Sequence, residues 1–239
     1  MKFAIISAGE GSRLSREGAS LPKPLTPLNG VAMIDRLIRI FIRNGALSVI
    51  VIINNESQLV KEHLVALQQE LPLEVVIKTT PSSMHSFYEL APYLADDKFC
   101  LTTVDTIFKE EEFSSFIEAF KESDEDGYMA VTDYIDDEKP LYISTDRLLH
   151  ITGFHDEKKA DCKYISGGVY CLKPSSLKIL DQCIDRGMSR MRNFQRQLVS
   201  EGLSLKAYPF SKILDVDHVE DITKAEAFLS CEINNKFSL

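Results

Sequence analysis

No apolar run in the sequence approaches the roughly 18 residues that a membrane-spanning helix needs, which excludes an integral helical membrane protein. Glycine and proline are sparse, at 11 and 9 of 239 residues, too few for a collagen-like or low-complexity chain. No internal repeat and no biased tract is present. Basic residues are outnumbered, 27 Lys and Arg against 36 Asp and Glu, for a formal net charge of −9. A general nucleic-acid binder needs a basic face, so the charge argues against that class; it does not exclude a local basic pocket for a phosphorylated small molecule. The cysteines, Cys100, Cys162, Cys171, Cys183 and Cys231, form no C-x-x-C pair and are odd in number. That argues against a disulfide framework or zinc site and for reduced thiols in a cytoplasmic protein. The N-terminal apolar stretch, Phe3–Ile6, runs into Gly9 too soon for a signal-peptide core, so no secretory leader is expected.

What remains is the composition of an ordinary soluble globular protein, 44% hydrophobic and 26% charged. The first half alternates strand and helix signals. Phe3–Ile6 is a short buried-strand run. Ile34, Leu37, Ile38 and Phe41 share one helix face, closed by Asn44-Gly45. Val49–Ile53 reads as a second strand, and Val60, Leu64 and Leu67 as a helix with Ser57 as its N-cap. Strand Val75–Ile77, a helix capped by Ser82 or Ser83 and running through Leu90, and strand Phe99–Val104 follow. Phe113, Phe116, Ile117 and Phe120 mark a further helix, and Tyr128–Val131 a further strand. Strands separated by single helices imply right-handed crossovers and a largely parallel sheet with both faces covered.

The second half is less regular. Residues 133–165 are polar and broken, as expected of hairpins and loops near a site. Gly167–Leu172 reads as a strand, Leu177–Ile184 and Met191–Leu198 as helices. Leu205–Tyr208 and Ile213–Val216 read as short strands, and Val219–Leu229 as a closing helix. The acidic patches Asp124-Glu125-Asp126 and Asp136-Asp137-Glu138 read as solvated loops. No linker separates the halves. The expectation is one α/β domain over 1–239: a Rossmann-like, mixed but mainly parallel sheet flanked by helices in three αβα layers.

After the first strand comes Ser7-Ala8-Gly9-Glu10-Gly11-Ser12-Arg13-Leu14. A Gly-rich turn after a strand exposes backbone N–H groups to an anion. The P-loop pattern is absent, and the dinucleotide fingerprint lacks its third glycine, Leu14 standing there. Gly9-x-Gly11-Ser12-Arg13 is instead followed by Pro22-Lys23-Pro24-Leu25, then Gly30 and Met33-Ile34. This set resembles the nucleotidyltransferase superfamily that makes nucleoside-diphosphate sugars. The match is strong over about residues 3–41, with Ser7 where the family usually has Ala or Gly. The resemblance implies the nucleotide-diphospho-sugar transferase type of fold, with a nucleotide-binding half of about 1–131 and an acceptor-binding half of about 132–239.

The residue types suit a nucleoside triphosphate. Gly9 and Gly11 admit phosphate oxygens to the backbone without a Cβ in the way, and Ala8 and Ser12 complete the loop. The planar fork of Arg13 suits the leaving pyrophosphate, and the compact Lys23 ammonium suits the α-phosphate. Mg²⁺ is the expected cofactor, held by one or two carboxylates plus phosphates. Asp105 ends the fourth strand, where the resemblance implies a metal ligand. Asp215, in Ile213-Leu214-Asp215-Val216-Asp217-His218, is similar to the family's second ligand, with Asp217 the alternative. Whether His218 assists stays open, as does a purely capping role for Asp217, Glu220 and Asp221 at a helix N-terminus. The resemblance also implies that Ser83 touches the nucleotide, that the Gly167-Gly168-Val169-Tyr170 strand lies beside the sugar, and that Glu157-Lys158 reaches a sugar phosphate.

The expected activity is Mg²⁺-dependent transfer of a nucleoside monophosphate to a sugar phosphate or similar acceptor, with release of pyrophosphate. The expected partners are therefore a nucleoside triphosphate and a phosphorylated small molecule, not a nucleic acid or a membrane. Base, acceptor and oligomeric state are left open. Phosphocholine cytidylyltransferases and molybdenum-cofactor guanylyltransferases share the N-terminal motif. A nucleotide-sugar-dependent glycosyltransferase would want a D-x-D motif where Asp105-Thr106-Ile107 stands, and a non-catalytic sensor would bind without turnover.

Overall fold

A computed structural model describes residues 1–9, 11–136 and 138–236, with side chains through residue 230. The readings of Asp137 as a solvated loop residue and of Cys231 as a reduced thiol fall outside it. In chain order, β1 (Lys2–Ser7) leads to α1 (Ser12–Arg16), a single turn at Lys23–Leu25, β2 (Pro27–Leu28), β3 (Val31–Ala32) and α2 (Met33–Arg43). Then come β4 (Val49–Ile53), α3 (Gln58–Leu67), β5 (Leu73–Ile77), α4 (Ser83–Leu94), β6 (Phe99–Thr103) and β7 (Thr106–Ile107). The rest is α5 (Glu110–Glu122), β8 (Gly127–Thr132), β9 (Tyr142–Thr145), β10 (Ile151–His155), β11 (Cys162–Leu172), α6 (Ser175–Asp185), α7 (Met191–Ser200), β12 (Leu205–Pro209), β13 (Leu214–Asp215) and α8 (Val219–Lys236).

A nine-stranded sheet carries the order β10-β9-β11-β6-β1-β4-β5, with β8 on β11 and β12 on β8. The β6-β1-β4-β5 block and the β8-β12 pair are parallel, while β11 runs antiparallel to β6, β8 and β9. The sheet is thus mixed, as expected. Alternate residues of β1 and β4 serve opposite layers. Phe3, Ile5, Val49, Val51 and Ile53 pack with α2, α3, α5 and α8. Ala4, Ile6, Ile50 and Ile52 pack with α4, and the same layer holds α6 and α7. Two covered faces leave no polar side, which is why these strands read as continuous apolar runs.

β11 reaches across both kinds of neighbour. Its first part pairs with β9, its last part with β6, and its pairing with β8 shifts register between Ser166 and Tyr170. Gly167 and Gly168 sit inside that shift. Gly168 has φ +74, and a Cβ on Gly167 would lie 3.1 Å from the Ala130 carbonyl oxygen as well as colliding with Ile213. Glycine is required here for the bend and the close packing. The sequence reading of a strand starting at Gly167 therefore missed its N-terminal half.

Several local expectations change. Ser57 precedes α3 but makes no cap; its Oγ donates to Asn54 Oδ1 at 2.7 Å instead. Ser82 does cap α4, accepting from the His85 N–H. The Asp124–Asp126 patch is not simply solvated. The Glu125 carboxylate accepts from Ser204 Oγ, and Asp126 accepts from Ser204 N at 3.0 Å, fastening the start of β8 to β12. Asp136 pairs with Lys224 at 3.2 Å. Cys100, Cys162, Cys171 and Cys183 are free and buried, as expected of structural thiols. Among the described residues, no helix is long and apolar enough to cross a membrane.

Candidate active site

The loop after β1 is fixed from behind. The Asn54 side chain, buried at the end of β4, donates to the carbonyls of Ala8 and Gly9 at 3.4 Å each. Its own Oδ1 is held by Glu56 N–H and Ser57. The two glycines do different work. A Cβ on Gly9 would meet nothing within 4 Å, so it leaves open space over the loop. Gly11 has φ +59, and a Cβ there would sit 2.9 Å from Lys23 Cβ. Gly11 thus lets the loop close on the stem of Lys23. Pro22 and Pro24 flank that lysine and fix the turn that presents it.

The Lys23 ammonium lies between two carboxylates. It donates to Asp105 Oδ2 and, at 2.7 Å, to Asp217 Oδ1. Arg13 Nη1 reaches the other oxygen of Asp217 at 2.9 Å. Burial works to lower the Lys23 pKa, but the charges and hydrogen bonds of Asp105 and Asp217 outweigh it and hold the amine above its usual range. The second oxygen of Asp105, Oδ1, is buried and has no hydrogen-bond partner among the described residues.

β13 brings the C-terminal carboxylates here by pairing with β7, Asp215 opposite Thr106, with Val216 N–H donating to the Asp105 carbonyl at 3.1 Å. Of the two expected alternatives, Asp217 joins Lys23 and Arg13, whereas Asp215 lines the cavities beyond them. Capping falls to Asp221, whose carboxylate accepts from Asp217 N–H at 3.2 Å and His218 N–H at 2.8 Å. His218 is tied to Glu17, Nδ1 to Oε1 at 2.5 Å, and that bond raises its pKa. The other Glu17 oxygen accepts from Val219 N–H at 2.8 Å, so Glu17 joins α1 to α8.

Two cavities meet at this cluster, and a third adjoins both. One of about 450 Å³ is lined by Ala8, Gly9, Gly11, Ser12, Arg13, Lys23, Ser83, Asp105 and Asp217, with Thr80, Ser82 and Ser86. A second, about 290 Å³, continues past Ser83 and Thr103 to Asp215, Gly168 and Tyr170. A third, about 400 Å³, holds Gly167 together with Arg13, Asp215 and Asp217. Tyr170 is buried, and burial pushes its pKa up to about 12. Its hydroxyl accepts from Gln195 Nε2 at 2.9 Å, and Gln195 Oε1 accepts from Ser166 Oγ at 3.3 Å. These groups form an uncharged polar floor. Glu157 and Lys158 are exposed and line a separate cavity that shares only Glu138, Lys139 and Arg192 with the others.

Asn54, Glu17, Gln195 and Arg192 line or brace the site without having been singled out in the sequence. Their roles depend on partners 25 to 202 residues away in sequence, such as Tyr170 for Gln195 and Val219 for Glu17. Carboxylate oxygens such as the buried Asp105 Oδ1 are the hard donors that a divalent cation takes. Among the described residues, no three acidic, His or Cys side chains form a metal cage by themselves.

A family model described as nucleotidyl transferase matches residues 2–232. No curated protein matches the sequence. Among solved structures, the chain is similar to the inositol-1-phosphate CTP transferase from T. maritima, with a TM-score of 0.81 at 18% identity, covering 96% of this chain and 94% of that one. It is similar also to a protein assigned as a glucose-1-phosphate thymidylyltransferase from Bacillus anthracis, with TM-score 0.84, 16% identity and coverage of 95% and 94%. A third is the CTP:phosphocholine cytidylyltransferase from Streptococcus pneumoniae, with TM-score 0.74, 18% identity and coverage of 95% and 98%. At these identities the likeness is one of fold.

Proposed function

The chain belongs to the nucleotidyl transferase family, and from that premise we propose that it transfers a nucleoside monophosphate from a triphosphate to a phosphorylated polyhydroxyl acceptor, a sugar or polyol phosphate. The observation that carries the reading is the Lys23 ammonium set between Asp105 and Asp217, with Arg13 beside it, on a glycine-bordered cavity of about 450 Å³. An oxygen of the acceptor phosphate attacks the α-phosphorus. The new P–O bond forms as the bond from the α-phosphorus to the oxygen bridging to the β-phosphate breaks, and pyrophosphate leaves. The attacking phosphate is already ionised, so no protein base or nucleophile is required. Lys23 is fully charged at neutral pH and offsets charge at the α-phosphate; Arg13 offsets charge on the departing pyrophosphate. Asp105, with Asp215 or Asp217, would hold Mg²⁺, whose contribution when bound is to neutralise phosphate charge.

The second cavity supports this acceptor class. Ser166, Gln195 and Tyr170 give it a hydroxyl- and amide-bearing floor, suited to hydroxyl groups. The three similar solved structures carry inositol 1-phosphate, glucose 1-phosphate and phosphocholine in their names. A choline acceptor wants an open aromatic face for its quaternary ammonium. The aromatic residue lining that cavity is Tyr170, which is buried with its hydroxyl held by Gln195, and this favours the polyhydroxyl acceptors.

The test is a pyrophosphate-release screen. It crosses the common nucleoside triphosphates with sugar 1-phosphates, inositol phosphate and phosphocholine, with and without Mg²⁺. Metal-dependent release with a sugar or polyol phosphate is the expected result. Release only with phosphocholine would overturn the acceptor class. Triphosphate binding without release from any pair would favour a sensor.

A further inference from the structure

The cavity of about 290 Å³ on the acceptor side is lined by three cations, Lys139, Arg190 and Arg192, and one carboxylate, Asp215. The three cations differ in what already holds them. Arg192 is engaged through both ends of its fork: Nη1 donates to Asp156 Oδ1 at 2.6 Å and Nη2 to the Lys139 carbonyl at 2.9 Å. Asp156 also takes Arg196 at 2.7 Å. Arg192 thus pins the segment at residue 139 and the end of β10 to α7, with its charge met. Lys139 has a partner of its own in the fold. The Arg190 side chain makes no hydrogen bond or ion pair among the described residues, although it lines the cavity.

Its backbone is the second observation. Arg190 has φ +72 and ψ 133, a region where an L side chain costs conformational energy and glycine does not. The segment is held on both sides of it. Asn193 N–H donates to the Arg190 carbonyl at 3.1 Å, and Asn193 Nδ2 to the Ser189 carbonyl at 2.6 Å. Met191, next in the chain, is buried. The side chain is exposed, so the fold gains no burial from the arginine itself. A glycine would satisfy the fold better, and an unneutralised guanidinium stands there instead. Strain of this kind concentrates where a side chain serves a ligand.

Resting on the nucleotidyl-transfer reading above, we propose that Arg190 binds the acceptor, its guanidinium taking the phosphate of the attacking phosphomonoester. A doubly charged phosphate suits the planar fork, which donates two parallel hydrogen bonds. The acceptor anion is then read from the loop between α6 and α7, and not from the exposed Glu157-Lys158 segment. Arg13 and Lys23 remain for the triphosphate, so like charges on the two substrates meet separate cations.

The experiment compares wild type with Arg190→Gly, Arg190→Lys and, as a loop-charge control, Arg186→Ala. Acceptor KM, nucleotide KM and thermal midpoint are measured with the acceptor that the screen identifies. Arg190→Gly should raise acceptor KM by roughly tenfold to a hundredfold while nucleotide KM stays within about twofold. Its midpoint should hold or rise, because glycine adopts φ +72 freely. Arg190→Lys should recover part of the loss, and Arg186→Ala should match wild type. A turnover-independent readout is calorimetric titration of inorganic phosphate with the triphosphate site filled by a non-hydrolysable analogue. Weaker phosphate binding in Arg190→Gly supports the assignment. Unchanged acceptor KM and phosphate affinity overturn it, as does a rise in both KM values with a lower midpoint, the signature of a structural role. A wild type with neither turnover nor triphosphate binding overturns the nucleotidyl-transfer reading itself; an active wild type with an unaffected Arg190→Gly overturns this inference alone.

Discussion

Lys23 and Arg13 are both cations beside Asp217, but their settings differ. Lys23 is mostly buried and bridges two carboxylates; the Arg13 side chain is 54% exposed and meets one. A donor fixed in a water-poor cluster needs no reorganisation when charge develops near it, whereas an exposed guanidinium is partly satisfied by water. Lys23→Ala should therefore lower kcat by roughly 10²-fold or more, and Arg13→Ala by a smaller factor that still exceeds about tenfold. Single-turnover pyrophosphate release measures both, and near-wild-type rates in the pair would remove these residues from the chemistry. Gly11 shows how a single position serves this arrangement. Its left-handed backbone and missing Cβ set how closely the loop approaches Lys23.

At the scale of elements, the β9–β10 hairpin has its own latch. His150 Nδ1 meets Asp146 Oδ2 at 3.1 Å within the hairpin, and Nε2 meets Glu125 Oε1 at 3.1 Å at the start of β8. Hydrogen bonds to Asp146 and Glu125 raise the His150 pKa above 6.5, and Lys206 is the nearby cation that also acts on Glu125. A histidine whose folded pKa is raised stabilises the fold in full below its unfolded value, about 6.5, and the contribution fades as pH climbs through the raised value. Glu125 and Asp146 are shifted downward, so their own contributions are lost only under acid conditions. The thermal midpoint of wild type should fall more between about pH 6 and 8 than that of His150→Gln. Parallel pH profiles for the two proteins would show that the latch contributes nothing.

At the scale of the molecule, one sheet runs through both halves of the chain. β11 from the second half pairs with β6 from the first, and β12 lies parallel on β8. Residues of both halves share each apolar layer, Phe3 with Phe210 in one and Ile6 with Leu198 in the other. Neither half can open without exposing the other's core, so denaturant unfolding should be one cooperative transition. Far-UV circular dichroism follows the whole chain. Tyrosine fluorescence follows mainly the second half, because the sequence has no Trp and five of its eight Tyr lie at or beyond Tyr134. Coincident curves from the two probes are expected; separated midpoints would show the halves to be independent units.

The alternation of strands and helices was legible in the sequence because it is written in short-range pattern. Apolar runs marked β1, β4 and β6, and a 3.6-residue period marked α2 and α5. The glycine-rich loop after β1 and Pro22-Lys23-Pro24 were legible for the same reason, their residues being local and ordered. The two-residue strands β7 and β13 carry no period, so nothing in the sequence pairs them, and that pairing is what brings the C-terminal carboxylates to Asp105. Hence the choice of Asp217 as the partner of Lys23, the hold of Glu17 on α8 and the capping by Asp221 were decided only in three dimensions. The same is true of Arg190. Its sequence neighbours give a charged, exposed loop; only the fold sets its backbone at positive φ and turns the loop to line the cavity of about 290 Å³. Local sequence specifies elements through periodicity and turn chemistry, while contacts between residues far apart in the chain are fixed by how those elements pack.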